Sequence, residues 1–124
     1  MRKGHYKTVT VPATTNNITK GIINFLNSEG HVAVRINVGG IYDPVYGKHR
    51  PSGGTVGVLD IQCTLAPIGR TLVIDTKKGK DSASPEQEQY AADVTAAGGI
   101  AYFAPSVDAF IEFYTNFIKP QLQR

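Results

Sequence analysis

Apolar positions recur along the chain at two different periods. In TTNNITKGIINFLNSEG, Ile18, Ile22, Phe25 and Leu26 fall three or four residues apart, which is the helical period. Thr and Asn side chains ahead of them can cap a helix and Gly30 can end it, so a first helix is expected over about residues 16–29. HVAVRINV alternates and is rich in β-branched residues. It predicts a first strand, with Val32, Val34, Ile36 and Val38 on one face and Arg35 and Asn37 on the other. GGIYDPVYGKHRPSGGT, Gly39 to Thr55, is dense in Gly and Pro and predicts a long loop of the functional or mobile kind.

VGVLDIQCTL predicts a second strand, PIG a hairpin turn, and RTLVIDTK a third strand. KGKDSA is a second, basic loop. In SPEQEQYAADVTAAGG, Ser84 suits the N-cap, Pro85 the first helical position and Gly98 the end. IAYFAP predicts a fourth strand. SVDAFIEFYTNFIKPQ predicts a third helix, with Val107, Phe110, Ile111, Tyr114, Phe117 and Ile118 at core spacing. The order is α-β-β-β-α-β-α. A hairpin makes strands two and three antiparallel, and a helical crossover makes strand four parallel to strand three. The expected fold is therefore α/β, a mixed four-stranded sheet flanked by helices. Residues 1–13 read as an N-terminal arm and residues 14–124 as one domain.

Composition narrows this little. With 124 residues, 41% hydrophobic and 19% charged, the chain suits one globular domain and not a disordered one. No apolar run approaches the ~20 residues of a membrane span. MRKGHYKTVTVPATTNN is basic but has no apolar centre of a secretory signal. The single cysteine, Cys63, has no internal disulfide partner and reads as a small buried hydrophobe. A reducing cytoplasm is the expected setting. A net charge of +3 is compatible with a polyanionic partner and names none by itself.

Alternation places Val73, Asp75 and Lys77 on one face of the third strand. If the hairpin pairs the strands, Asp60 comes near Asp75, and two close carboxylates repel unless a cation or proton lies between them. A hard divalent ion, Mg2+ or Mn2+, resolves that conflict. On the second helix, Gln87 shares the sheet-facing side with Tyr90, Ala91 and Val94. Each residue also has a plainer reading. Asp75 and Lys77 make a strand-end ion pair, Asp60 caps a turn, and Ser84 with Gln87 forms a capping box. Arg35 and Asn37 make a solvated strand face, and Lys48, His49, Arg50, Lys78 and Lys80 solvated loops.

Read in order, RINVGG, GVLDI, LVIDTKKGKDSASPEQ and AAGGIAYFAPSVDAF resemble the VRR-NUC family, the small virus-type replication-repair nucleases of the PD-(D/E)xK superfamily. The likeness covers about Ile18 to Phe110. It implies a restriction-endonuclease-like core and a Mg2+- or Mn2+-dependent DNA endonuclease that hydrolyses phosphodiester bonds. The expected DNA is branched, of Holliday-junction or flap type. The expected state is a homodimer in the cytoplasm of a bacterial or phage-infected cell. The resemblance makes Asp60 and Asp75 metal ligands, with the carbonyl of Thr76 as a third. Lys77 becomes the residue that positions the attacking water, and Gln87 its support. Arg35, Asn37, Lys48, Arg50, Lys78 and Lys80 become contacts to DNA. One departure stands out: where the family has a helix-one glutamate, this chain has Thr15 or Thr19. Two outcomes stay open, a site held by two aspartates and a catalytically weakened DNA-binding module on a nuclease fold.

Overall fold

The computed structural model describes residues 14–36, 41–43, 48–50 and 55–122. Helix α1, Thr15–Ser28, starts where the Thr14 hydroxyl accepts from the Asn17 N–H at 3.1 Å. It ends at Gly30, whose φ of +95° suits a residue without a Cβ. Ile18, Thr19, Ile22 and Leu26 are its buried stripe. Strand β1 is Val32–Arg35, β2 Ile41–Asp43, β3 Lys48–Arg50, β4 Ile61–Leu65 and β5 Arg70–Thr76. Helix α2, Pro85–Ala96, leads to β6, Ile100–Ala104, and then α3, Val107–Phe113. A π-helical turn, Tyr114–Ile118, joins α3 to the short α4, Lys119–Leu122.

The main sheet has the order β1-β4-β5-β6. β4 pairs antiparallel with β1 and with β5, and β6 runs parallel to β5. The α/β class and the mixed four-stranded sheet are as expected. Ile61, Cys63 and Leu65 of β4 and Leu72 and Ile74 of β5 meet α1, Phe110, Tyr114 and Ile118 in one core. Burial pushes the Cys63 thiol up to about 11, so it stays protonated and packs as a hydrophobe. On the other face of the sheet, the half-buried residues of α2 include Gln87, Tyr90, Ala91 and Val94, the expected stripe. No helix is long and apolar enough to cross a membrane among the described residues.

Four points correct or refine the expectations. The segment Gly39–Thr55 is not loop throughout, because β2 and β3 pair antiparallel as a separate two-stranded sheet. Strands of three residues are too short for alternation to reveal against so much Gly and Pro. Val32 and Val34 do share a face, but they are 63% and 51% exposed, and the core position of β1 is Ala33. Phe117 is 50% exposed, while Phe110, Tyr114 and Ile118 are buried. The π-turn adds a residue to the helical repeat and carries Phe117 off the core stripe.

The fourth change concerns Asp60. β4 begins only at Ile61, so Asp60 lies in a bend just before the strand. Gly57 lies in the turn that precedes this bend. Its φ is +94°, and a Cβ there would lie 2.6 Å from the carbonyl oxygen of Glu86, in the first turn of α2. Gly57→Ala therefore meets both a left-handed backbone and a main-chain clash, and is expected to cost about 2 kcal/mol or more. Thermal melting checks it, and a loss below about 0.5 kcal/mol would mean the approach is looser than drawn.

His31 ties the β4–β5 turn to the third helical region. Its Nδ1 accepts from the Ala66 N–H at 3.0 Å, so its proton sits on Nε2, 2.7 Å from the Tyr114 hydroxyl. Burial lowers its pKa from 6.5, against a smaller opposing effect of Glu29. Burial likewise pushes Tyr114 up to about 12, with Glu29 adding to it. The unfolded chain thus takes up the His31 proton more readily than the native one. Its contribution is full above the unfolded pKa and is lost as pH falls through the lower folded value. Denaturant midpoints are expected to drop between about pH 7.5 and pH 5.5, and to drop less in His31→Gln.

Candidate functional site

The carboxyl ends of β1 and β5, the start of β4 and the first turns of α1 and α2 meet at one end of the sheet. The pairing Ile61↔Ile74 puts Asp60 opposite Asp75. Their contact runs through the backbone: the Asp60 N–H donates to Asp75 Oδ1 at 2.9 Å. Asp75 is 9% exposed. Its Oδ2 accepts from Lys77 Nζ at 3.0 Å and from Gln87 Nε2 at 3.3 Å. Lys77 Nζ also donates to Gln87 Oε1 at 2.8 Å. Asp75, Lys77 and Gln87 thus close a three-membered ring of contacts.

Gln87 forms the expected capping box and also reaches Lys77 and Asp75. Its N–H donates to the Ser84 hydroxyl at 3.1 Å, and its Oε1 accepts from the Ser84 N–H at 3.2 Å. That is the capping box of α2. The same Oε1 holds Lys77, so the helix cap and the lysine share one acceptor. Ser84, read from sequence only as a cap, is therefore what fixes the orientation of Gln87.

Asp60 has a partner that strand alternation does not reveal. Arg35 Nε donates to Asp60 Oδ2 at 2.9 Å. Another guanidinium nitrogen of Arg35 donates to Oδ1 of Asn16, in the first turn of α1. Asn16 escaped notice in the sequence, since an Asn at the start of a helix reads as a capping residue.

Thr19 is fully buried and its hydroxyl bonds that of Thr76 at 2.9 Å. The Thr76 side chain therefore points into the α1 side of the sheet, opposite to Asp75. Thr15 is exposed on the first turn. Lys78 and Lys80 are exposed in the loop that follows Lys77. Asn37 and the side chains of Lys48, His49 and Arg50 lie outside the described residues.

The donor chemistry suits a hard cation. Asp60 and Asp75 offer carboxylate oxygens, and Mg2+ is commonly held by one or two carboxylates, with water and substrate phosphate completing its shell. Among the described residues no group of three or more His, Cys, Asp or Glu that could hold a metal ion comes together. A scan against protein-family models, a search of curated proteins and a search of solved structures each found no match.

Proposed function

We propose that this chain is a divalent-metal-dependent DNA endonuclease on a restriction-endonuclease-like core, acting on branched DNA as a homodimer. The observation that carries this reading is the convergence of Asp75, Lys77 and Gln87 beside Asp60. A buried carboxylate, a lysine fixed on it and a glutamine fixed by a helix cap make a preorganised polar site, which surface ion pairs do not need.

Asp60 and Asp75 would hold Mg2+ or Mn2+, with the Thr76 carbonyl as a further oxygen ligand. A bound cation supplies Lewis acidity toward a phosphodiester and readies a water for attack. Lys77 brings a positive charge to the growing negative charge on the phosphate oxygens and orients the attacking water. Gln87 keeps the ammonium in place by accepting a hydrogen bond from it. Lys78 and Lys80 hold the DNA backbone without reading sequence, and Arg35, Asn37, Lys48 and Arg50 are proposed as further DNA contacts. A domain of this size covers little duplex alone, which is the reason for two copies.

The test incubates the protein with junction, flap and linear DNA, with and without Mg2+ or Mn2+, beside Lys77→Ala. Metal-dependent cleavage that disappears in Lys77→Ala is expected. Binding without cleavage of any substrate would favour the second reading, a DNA-binding module. One observation speaks for that reading: of the two helix-one candidates, Thr15 is exposed and Thr19 is spent on a buried bond to Thr76, and neither is a carboxylate.

A further inference from the structure

The Arg35–Asp60 pair stands where the proposed metal would bind, and its strength is modest. The side chains are 45% and 23% exposed. Pairs this accessible contribute roughly 0–1 kcal/mol, so stability alone gives little reason to keep it. Yet Arg35 is held at both ends, by Asp60 and by Asn16 of α1, which aims its guanidinium at the Asp60 carboxylate.

A divalent ion on the same oxygen would bring two more positive charges within a few ångströms of the guanidinium, and that repulsion grows as the site loses water. The two cations compete for one carboxylate. A displaced guanidinium keeps five N–H donors in a planar fork, and the matching partner at the mouth of such a site is a phosphodiester. We propose that Arg35 is an exchangeable counter-ion of Asp60: it occupies the carboxylate in the metal-free protein and transfers to a DNA phosphate when the metal arrives. This rests on the metal-site reading above. Arg35 then couples the two ligands. Metal frees Arg35 for DNA, DNA keeps Arg35 off Asp60, and each tightens the other by the same factor.

The experiment measures Mn2+ affinity by the electron paramagnetic resonance of free Mn2+, with and without a duplex of non-hydrolysable linkages. The proteins are the wild type, Arg35→Met, Arg35→Gln, Asp60→Asn and Asp75→Asn, each checked for folding by melting. Without DNA, both Arg35 variants are expected to bind Mn2+ about threefold more tightly than the wild type, the size of an exposed ion pair. Arg35→Gln keeps a donor and lacks the charge, so its agreement with Arg35→Met assigns the effect to charge. DNA is expected to tighten Mn2+ in the wild type and to do so less in both variants. Unchanged or weaker Mn2+ binding in the Arg35 variants, with binding still lost in Asp60→Asn, overturns the exchange and leaves the metal site standing. Mn2+ binding that is absent throughout, or indifferent to Asp60→Asn and Asp75→Asn, overturns both.

Discussion

Asp75→Asn is expected to lower metal-dependent DNA cleavage about a thousandfold while leaving a folded protein. The carboxylate is the acceptor for three donors, the Asp60 N–H, Lys77 Nζ and Gln87 Nε2. An asparagine oxygen can still meet the Asp60 N–H, so the bend before β4 is kept. Its amide then faces Lys77 and Gln87 as a donor toward donors, and both of those bonds are lost, at a cost of about 1–3 kcal/mol. On the proposed nuclease reading, catalysis loses more. Metal polarisation of the phosphate is worth several kcal/mol, and each 1.36 kcal/mol is a factor of about ten in rate. Single-turnover cleavage beside a melting curve separates the two effects. Cleavage within about tenfold of the wild type would place the chemistry away from Asp75.

The largest effect on stability is expected at Phe110. Its side chain is fully buried, with ring centroids 6.2 Å from Phe25, 6.0 Å from Tyr102 and 6.3 Å from Tyr114. Phe110→Ala removes the ring where α1, β6 and the π-turn meet, and such truncations cost about 3–5 kcal/mol. Against a typical total of about 5–15 kcal/mol, that is a large share. The melting temperature should fall by on the order of 15 °C. Phe117→Ala is the contrast. Phe117 stacks on Phe113 at 5.0 Å but is half exposed, so it should cost under about 1.5 kcal/mol. Equal losses at the two positions would contradict the helical phase drawn through Tyr114–Ile118.

Local signals carried much of this architecture. The three-and-four spacing of Ile18, Ile22 and Leu26 and the half-buried stripe of α2 need only the helical period. The joint projection of Asp75 and Lys77 needs only the strand period. Ser84-Pro85-x-Gln87 announces a capping box without any tertiary knowledge. Relations between distant segments were not legible. β1 pairs with β4 across a long intervening stretch, so no turn length reports that Arg35 lies beside Asp60. VGVLDI reads as unbroken strand, yet β4 starts only at Ile61, and Gly57 ahead of it packs against a helix nearly thirty residues later. An extra residue in a helical turn leaves no mark on composition, so Phe117 looked like core.

The Gly57–Glu86 approach also determines how rigidly the two halves of the site are spaced. Packing between side chains is elastic, since rotamers shift to absorb small displacements. Here main chain lies against main chain, with only hydrogen on the glycine side. The gap between the segment bearing Asp60 and the turn bearing Gln87 is therefore set by the van der Waals radii of backbone atoms. Side-chain substitutions in the core can loosen the domain without widening that gap, which makes this contact the molecule's internal gauge block.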